Sequence, residues 1–202
     1  MNRENDCRIF FSKYRKSLLS GKGEKIPLQE KTETKEITME AFEMYYLGEY
    51  YNEFSKKVTK YLWSEPFEDV AACRDLLLRR MEEMKRKETL ILSVITKEEE
   101  FLGSVEVRGL GEYCPEVSVW IKESEWGNGY AYNALYEALK NVHFQYDKSE
   151  FYYEADIRNT GAMKLLSKFE KDYEIMEQDL EKVTTDSGKK LEMRGYILKY
   201  KR

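Results

Sequence analysis

Apolar residues along the chain follow two periods, and the changes between them mark out the elements. Phe42, Tyr45, Tyr46, Tyr50 and Phe54 recur at helical spacing, which predicts a helix over residues 38–55 with its tyrosines in the core. Ser64-Glu65-Pro66 is a start signal with proline near a first turn, and Val70, Cys73, Leu77, Met81 and Met84 mark one face of a second helix reaching about Lys87. On its tail, Glu82 with Arg86 and Glu83 with Lys87 have the i, i+4 spacing of a solvated face. Residues 90–95 and 101–107 are rich in apolar and β-branched positions and are separated by Lys97-Glu98-Glu99-Glu100, which predicts an antiparallel hairpin. Gly109, Gly111 and Pro115 punctuate a turn before Glu116-Val117-Ser118-Val119-Trp120-Ile121, a third strand with clear alternation.

Ala131, Ala134, Leu135, Ala138, Leu139, Val142 and Tyr146 then trace a helical stripe. Phe151, Tyr153, Ala155 and Ile157 alternate with Glu154 and Asp156 as in a strand. Asn159-Thr160 caps a helix with Ala162, Leu165, Leu166 and Phe169 on its inner stripe. Residues 173–183 fit either period, because Tyr173, Met176, Leu180 and Val183 also match helical spacing. Past the turn signal Thr185-Asp186-Ser187-Gly188, residues 191–200 read as a final strand. At the other end, residues 28–37 alternate charge with Thr and permit an edge strand, while Ile9, Phe10, Phe11, Tyr14, Leu18 and Leu19 are spaced for a short amphipathic helix that packs on the main body. The expected organisation is an N-terminal helical appendage over 1–27 and a main domain over 28–202.

Composition narrows the functions open to this chain. Its 202 residues suit one domain with an appendage. A net charge of -4 offers no general attraction to phosphate backbones or anionic lipid, so neither nucleic acid nor a membrane is an expected partner. The apolar runs fall far short of the ~20 residues of a bilayer span. Met1-Asn2-Arg3-Glu4-Asn5-Asp6 lacks the basic-then-apolar pattern of a secretion signal, and a cytoplasmic location is expected. Cys7, Cys73 and Cys114 are odd in number and scattered, as reduced thiols are. Cys114 precedes Pro115 with no basic neighbour and reads as a passive thiol. A single histidine excludes metal sites built on two or three imidazoles, and no metal is expected. That residue, His143, falls late in a helical pattern, where a packed or helix-end role is the ordinary one.

The third strand runs into Trp126-Gly127-Asn128-Gly129-Tyr130-Ala131 and then a helix. Glycines at such a turn let the backbone approach a ligand closely, and the amides of the first helical turn then face an anion. A phosphate-bearing ligand fits; a plain tight turn fits the spacing as well.

The hairpin, the strand, Trp126-Gly127-Asn128-Gly129-Tyr130-Ala131, the helix, the next strand and Asn159-Thr160-Gly161-Ala162 together resemble the GNAT acyl-CoA N-acyltransferases over roughly residues 32–200, most of all the ribosomal-protein-alanine N-acetyltransferase branch. The resemblance implies an α+β fold with a central mixed, mostly antiparallel twisted sheet flanked by helices. It implies an N-acetyltransferase that moves an acetyl group from its co-substrate acetyl-CoA to a primary amine, on a protein N-terminus or a small molecule, by direct attack on the thioester. Within that likeness, Trp126, Gly127, Asn128, Gly129, Tyr130 and Ala131 cradle the pyrophosphate, the backbone of Val119, Trp120 and Ile121 in a splayed strand holds the pantetheine arm together with Asn159, and residues 173–183 are a strand.

The chain departs from the family at three places. Ser124 stands where the family has Gln or Arg, Leu166 where many members have the tyrosine that protonates the leaving thiolate, and Phe169-Glu170-Lys171 where Leu-Gly-Phe often closes the helix. The acid is unassigned, with Tyr130 and Tyr132 the phenols at hand. Amide formation needs a neutral amine, a stabilised oxyanion and a proton returned to the thiolate. Glu116, near the family's carboxylate position, is the first choice as base, acting directly or through a water, and Glu106 is the second; a solvated strand-end glutamate is the plain alternative. The missing tyrosine also admits a non-catalytic acyl-CoA-binding or protein-interaction module. The mild acidity suits a cationic amine acceptor, and nothing in the sequence chooses between monomer and homodimer.

Overall fold

The computed structural model describes residues 31–33 and 37–201; the amphipathic helix expected within residues 1–27 lies outside them. Among the described residues, eight strands form one sheet in the order β1-β2-β3-β4-β5-β6-β8-β7. They are β1 (Lys31–Glu33), β2 (Thr38–Ala41), β3 (Thr89–Ile95), β4 (Phe101–Arg108), β5 (Glu116–Ile121), β6 (Glu150–Asp156), β7 (Tyr173–Thr184) and β8 (Lys190–Tyr200). Every neighbouring pair is antiparallel except β5 with β6, which is parallel. Four α-helices, α1 (Leu47–Glu53), α2 (Val70–Lys85), α3 (Tyr130–Tyr146) and α4 (Thr160–Phe169), flank this mixed, mostly antiparallel sheet, which is the expected α+β architecture.

Strand alternation sends the sheet's side chains into two different cores. On one face Leu90, Val94, Val105, Val107, Val117 and Ile121 meet Ala134, Leu135, Ala138, Leu139 and Val142 of α3 and Leu165, Leu166 and Phe169 of α4. The small alanines of α3 let that helix lie close to the strands. The opposite face is aromatic: Phe42, Tyr46, Tyr50 and Phe54 pack with Cys73 and Leu77 of α2 and with Ile91, Ile95 and Phe101 of the sheet. Tyr50 sits at its centre, edge-on to Phe42 at 5.6 Å and to Trp120 at 4.9 Å. A fully buried ring of this size contributes on the order of 2–3 kcal/mol. Within this cluster burial pushes the Cys73 thiol up to about 11, so it stays protonated at neutral pH.

Several elements differ from their sequence reading. Residues 38–41 are not helical but form β2, pairing Thr38 with Ile95 through Ala41 with Leu92. Thr38 and Met39 are both buried, and so short a strand shows no period of its own beside the aromatic series that begins at Phe42. Tyr45 leaves the core altogether: it is 66% exposed and donates to Glu40 at 2.7 Å. Helix α2 starts later than the proline signal because Asp69 is its cap, accepting from the Ala72 N–H at 2.8 Å. Its tail is not uniformly solvated either, since Glu83 is buried, pairs with Arg80 at 2.8 Å and accepts from the Thr89 hydroxyl at 3.2 Å.

Residues 173–184 are strand β7, and pairing along β8 overrides the incidental helical spacing. His143 lies in the last turn of α3, its Nδ1 2.6 Å from the Lys148 carbonyl oxygen and its ring stacked on Tyr200 at 4.7 Å. That is the packed helix-end role expected of it.

Asp156 closes β6 with no exposed surface. It accepts from Arg158 Nε at 2.8 Å, from the Arg158 N–H at 2.9 Å and from the Glu192 N–H at 3.0 Å. Burial opposes its charge, but these donors outweigh it and hold the carboxyl below the usual aspartate range. A depressed native pKa stabilises the fold above the unfolded value, and that contribution is lost as pH falls. Asp156→Ala is therefore expected to cost about 2–4 kcal/mol at pH 7, measured by urea unfolding. The deficit relative to the parent should shrink as pH drops below about 4.

Candidate active site

Strands β5 and β6 pair at only two positions, Glu116 with Tyr152 and Val117 with Tyr153. From Ser118 to Ile121, β5 pairs with β4 alone, so its β6-facing main chain borders a split in the sheet. The apolar side chains on β5 belong to the cores behind it. Ile121 is buried under α3 and Val119 packs beside it, while Trp120 points the other way, 5.2 Å from Phe54 and 5.9 Å from Phe101. What Val119, Trp120 and Ile121 present to the split is backbone.

A short 3-10 turn, Glu123–Glu125, leads from β5 to the glycine segment. The Trp126 indole N–H donates to the Ile121 carbonyl at 2.7 Å, which ties this segment to the end of β5. Gly127 and Gly129 have φ of 90° and 87°, a region that disfavours any residue with a Cβ. No atom lies within 4 Å of where a Cβ would stand on either, so the space above them is open. Asn128 folds its amide back to Glu125 Oε2 at 2.9 Å, out of that space. Gly129 is the N-cap of α3 and has no side chain to satisfy the first amides of the helix. These amides, at Tyr130 and Ala131 above all, present partial positive charge to an anion. Asn159 sits across the split at the start of α4, where its carboxamide oxygen caps the helix by accepting from the Ala162 N–H at 3.1 Å.

A backbone-lined split runs to an uncapped helix start, which is the geometry an anion cradle joined to a main-chain groove would need. The acetyltransferase (GNAT) domain family matches residues 36–170, two thirds of the sequence. The chain belongs to the GNAT acetyltransferase family. Membership makes it an acyl-CoA-dependent N-acetyltransferase with acetyl-CoA as co-substrate. Solved structures of the same fold include a spermidine N-acetyltransferase from Vibrio cholerae in complex with CoA and spermine, at 18% identity and a TM-score of 0.68, covering 82% of this chain and 97% of that one. A ribosomal-protein-S5-alanine acetyltransferase from Vibrio fischeri aligns at 14% identity and TM-score 0.69, covering 84% and 96%. An acetyltransferase from Salmonella typhimurium that modifies the N-terminal serine of ribosomal protein L7/L12 aligns at 11% identity and TM-score 0.70, covering 83% and 97%. No curated protein sequence matches the chain.

The aromatic-core face of the same GNAT sheet carries the titratable groups. Glu116 lies at the closed end of the split, opposite Tyr152, and its Oε1 takes the Arg108 guanidinium from the neighbouring strand. Its side chain retains 26% exposure. One turn of the pleat away, Glu106 faces Arg80 of α2 at 3.3 Å. Tyr152 donates to Glu154 at 3.2 Å, and Trp63, from the loop before α2, donates to the same carboxylate. Burial first, then the negative charge of Glu154 and Glu116, drives the Tyr152 phenol upward, so it stays a neutral donor. Its ring lies over Gly195, where a Cβ would come within 2.5 Å of the hydroxyl.

Of the sequence-assigned residues, Trp126 to Ala131 follow the end of β5, Val119 to Ile121 turn main chain to the split, Asn159 starts α4 beyond β6 and Glu116 lies at the closed end, while Glu106 sits one strand away on β4, facing α2. Leu166 is buried in the core. Tyr132 stacks on Tyr136 at 5.7 Å and on Phe169 at 5.1 Å. The residues that sequence reading left aside here are Tyr152, Glu154 and Trp63. Period-two alternation does place Tyr152 and Glu154 on one face of β6, but only the β5–β6 register brings that face to Glu116.

Arg80 is the cation between two of these carboxylates, Glu106 and Glu83. Arg80→Leu should strand both and lower stability by about 2–3 kcal/mol. Adding Glu106→Gln to that variant should recover part of the loss, which urea titrations of the two proteins would measure.

Proposed function

We propose that the protein transfers the acetyl group of acetyl-CoA to a primary amine, on a protein N-terminus or a cationic small molecule, by direct attack on the thioester. The observation that carries this reading is the split between β5 and β6, opening on one side to the glycine cradle and on the other to Glu116. Residues 119–121 would hold the pantetheine arm through main-chain groups, helped by the Asn159 amide N–H groups that capping leaves over. The amides following Gly127 and Gly129 would take the pyrophosphate, whose oxygens fit the open space above these glycines. Acetyl-CoA supplies the activated acyl carbon.

The acceptor amine enters from the α2 side, where Glu154, hydrogen-bonded by the neutral Tyr152 and Trp63, adds a carboxylate beside the Glu116–Arg108 and Glu106–Arg80 pairs and favours a cationic group. Same-fold proteins named for spermidine and for ribosomal N-termini support an amine acceptor. Glu116 receives the proton that the nitrogen gives up as the new N–C bond forms; the C–S bond breaks, and the departing thiolate takes a proton from water. Arg108 fixes the orientation of the Glu116 carboxylate for that transfer.

Binding and chemistry are tested separately. Acetyl-CoA at a hundred times its dissociation constant should stabilise the protein by about 2.7 kcal/mol, read as a rise in Tm. Gly129→Val should abolish that rise, because it forces a branched side chain into a left-handed backbone and into the phosphate space. No rise in the parent at millimolar ligand would refute the cradle.

Glu116→Gln should keep cofactor affinity and lower acetyl transfer by about 10²- to 10⁴-fold, the usual worth of a general base. Its deficit should shrink as pH rises, since an amine already deprotonated needs no base. Normal turnover at neutral pH would move the assignment to Glu106.

A further inference from the structure

CoA carries a third phosphate beyond its pyrophosphate, a monoester on the ribose 3′ position with close to two negative charges at neutral pH. We propose that Lys168 and Lys171 bind this 3′-phosphate and let the protein distinguish CoA from 3′-dephospho-CoA. The inference rests on the acetyl-CoA reading above and assigns residues to the part of the ligand which that reading leaves unheld.

Two ammonium groups converge on one aromatic floor beside the glycine cradle. Tyr132 lies in the first turn of α3, within about one 5.4 Å helical pitch of the amides after Gly129. Its ring is fixed by Tyr136 and by Phe169, so the floor is rigid. Lys168, from the last turn of α4, holds its Nζ 5.5 Å from the Tyr132 ring centre. Lys171, just past that helix, holds its Nζ 5.5 Å from the same ring and 5.8 Å from Tyr136.

With both ammonium groups 5.5 Å from the centre of one ring, a phosphate dianion at the edge of that ring is attracted by each. Asp172 faces Lys171 at 3.7 Å, a distance at which a phosphate dianion can compete. The site also coincides with a departure from the family pattern, because Lys171 stands where the family often closes the helix with Phe. An aromatic floor under two cations next to a pyrophosphate cradle suits the phosphorylated adenosine end of the same molecule.

Calorimetry of the full chain with CoA and with 3′-dephospho-CoA tests the assignment. The parent should prefer CoA by about tenfold, the size expected of two exposed ammonium–phosphate contacts, and the preference should narrow as salt rises. Lys168→Ala with Lys171→Ala should weaken CoA to the level of dephospho-CoA and leave dephospho-CoA unchanged. Replacing both lysines by arginine should retain the preference, and Lys164→Ala, one turn earlier on the same helix, should not alter it. Equal affinity of the parent for the two ligands would overturn the proposal, as would a double variant that loses both ligands alike. Failure of the parent to bind either would overturn the acetyl-CoA reading itself.

Discussion

The whole arrangement turns on a strand pairing that stops early. β5 and β6 run parallel and share only two residue pairs, while β4 pairs the other edge of β5 and β8 the other edge of β6 along the whole of each strand. In a continuous sheet the edge of β5 would be spent on hydrogen bonds to β6. Here it is left facing a gap, and the segment that follows β5 is pinned to the rim of that gap by the Trp126–Ile121 hydrogen bond. The parallel sense matters as much as the brevity: it requires a crossover, α3, whose start falls at the open end of the split.

The two cores keep this break from collapsing. The face under α3 and α4 is aliphatic and close-packed through alanines, while the face under α1 and α2 is built from interlocking rings centred on Tyr50 and Trp120. The apolar side chains of β5, Val117, Val119, Trp120 and Ile121, are committed to one core or the other, and Glu116 is held by Arg108. Around the aromatic core the charges come in pairs, Arg80 with Glu106 and Arg108 with Glu116, which gives the carboxylates fixed positions at the cost of desolvating their partners. The loop carrying Trp63 is fastened from the far side by Lys189, which donates to Thr59 and Ser64 carbonyls and pairs with Glu65 at 3.0 Å.

Much of this could be read from the chain, and the parts that could not share a reason. Long amphipathic segments such as α3 and the β3–β4 hairpin announce themselves through many periodic positions, and the Gly127 and Gly129 turn through residues that have few other uses. β2 was hidden because four residues are too few to show a period and adjoin a stronger helical signal. β7 was ambiguous because its edge position leaves it largely exposed, so its apolar residues are sparse enough to match either spacing. The proline signal before α2 misled because Asp69, a better cap, follows it. Glu116 and the glycine turn could be singled out by type and place. Their relation to Tyr152 and Glu154 depends on strand register, a long-range property that no local window contains.

A groove walled by main chain has a consequence for how this protein can drift. A binding surface made of side chains is erased when those side chains change, and selection holds them in place. Val119 and Ile121 answer only to the core behind them, and any residue that fills the same volume leaves the groove as it was. Two such proteins can therefore keep the same architecture, as the V. cholerae structure does at a TM-score of 0.68, while agreeing at only 18% of positions. Architecture in this fold is carried by the path of the backbone more than by the letters along it.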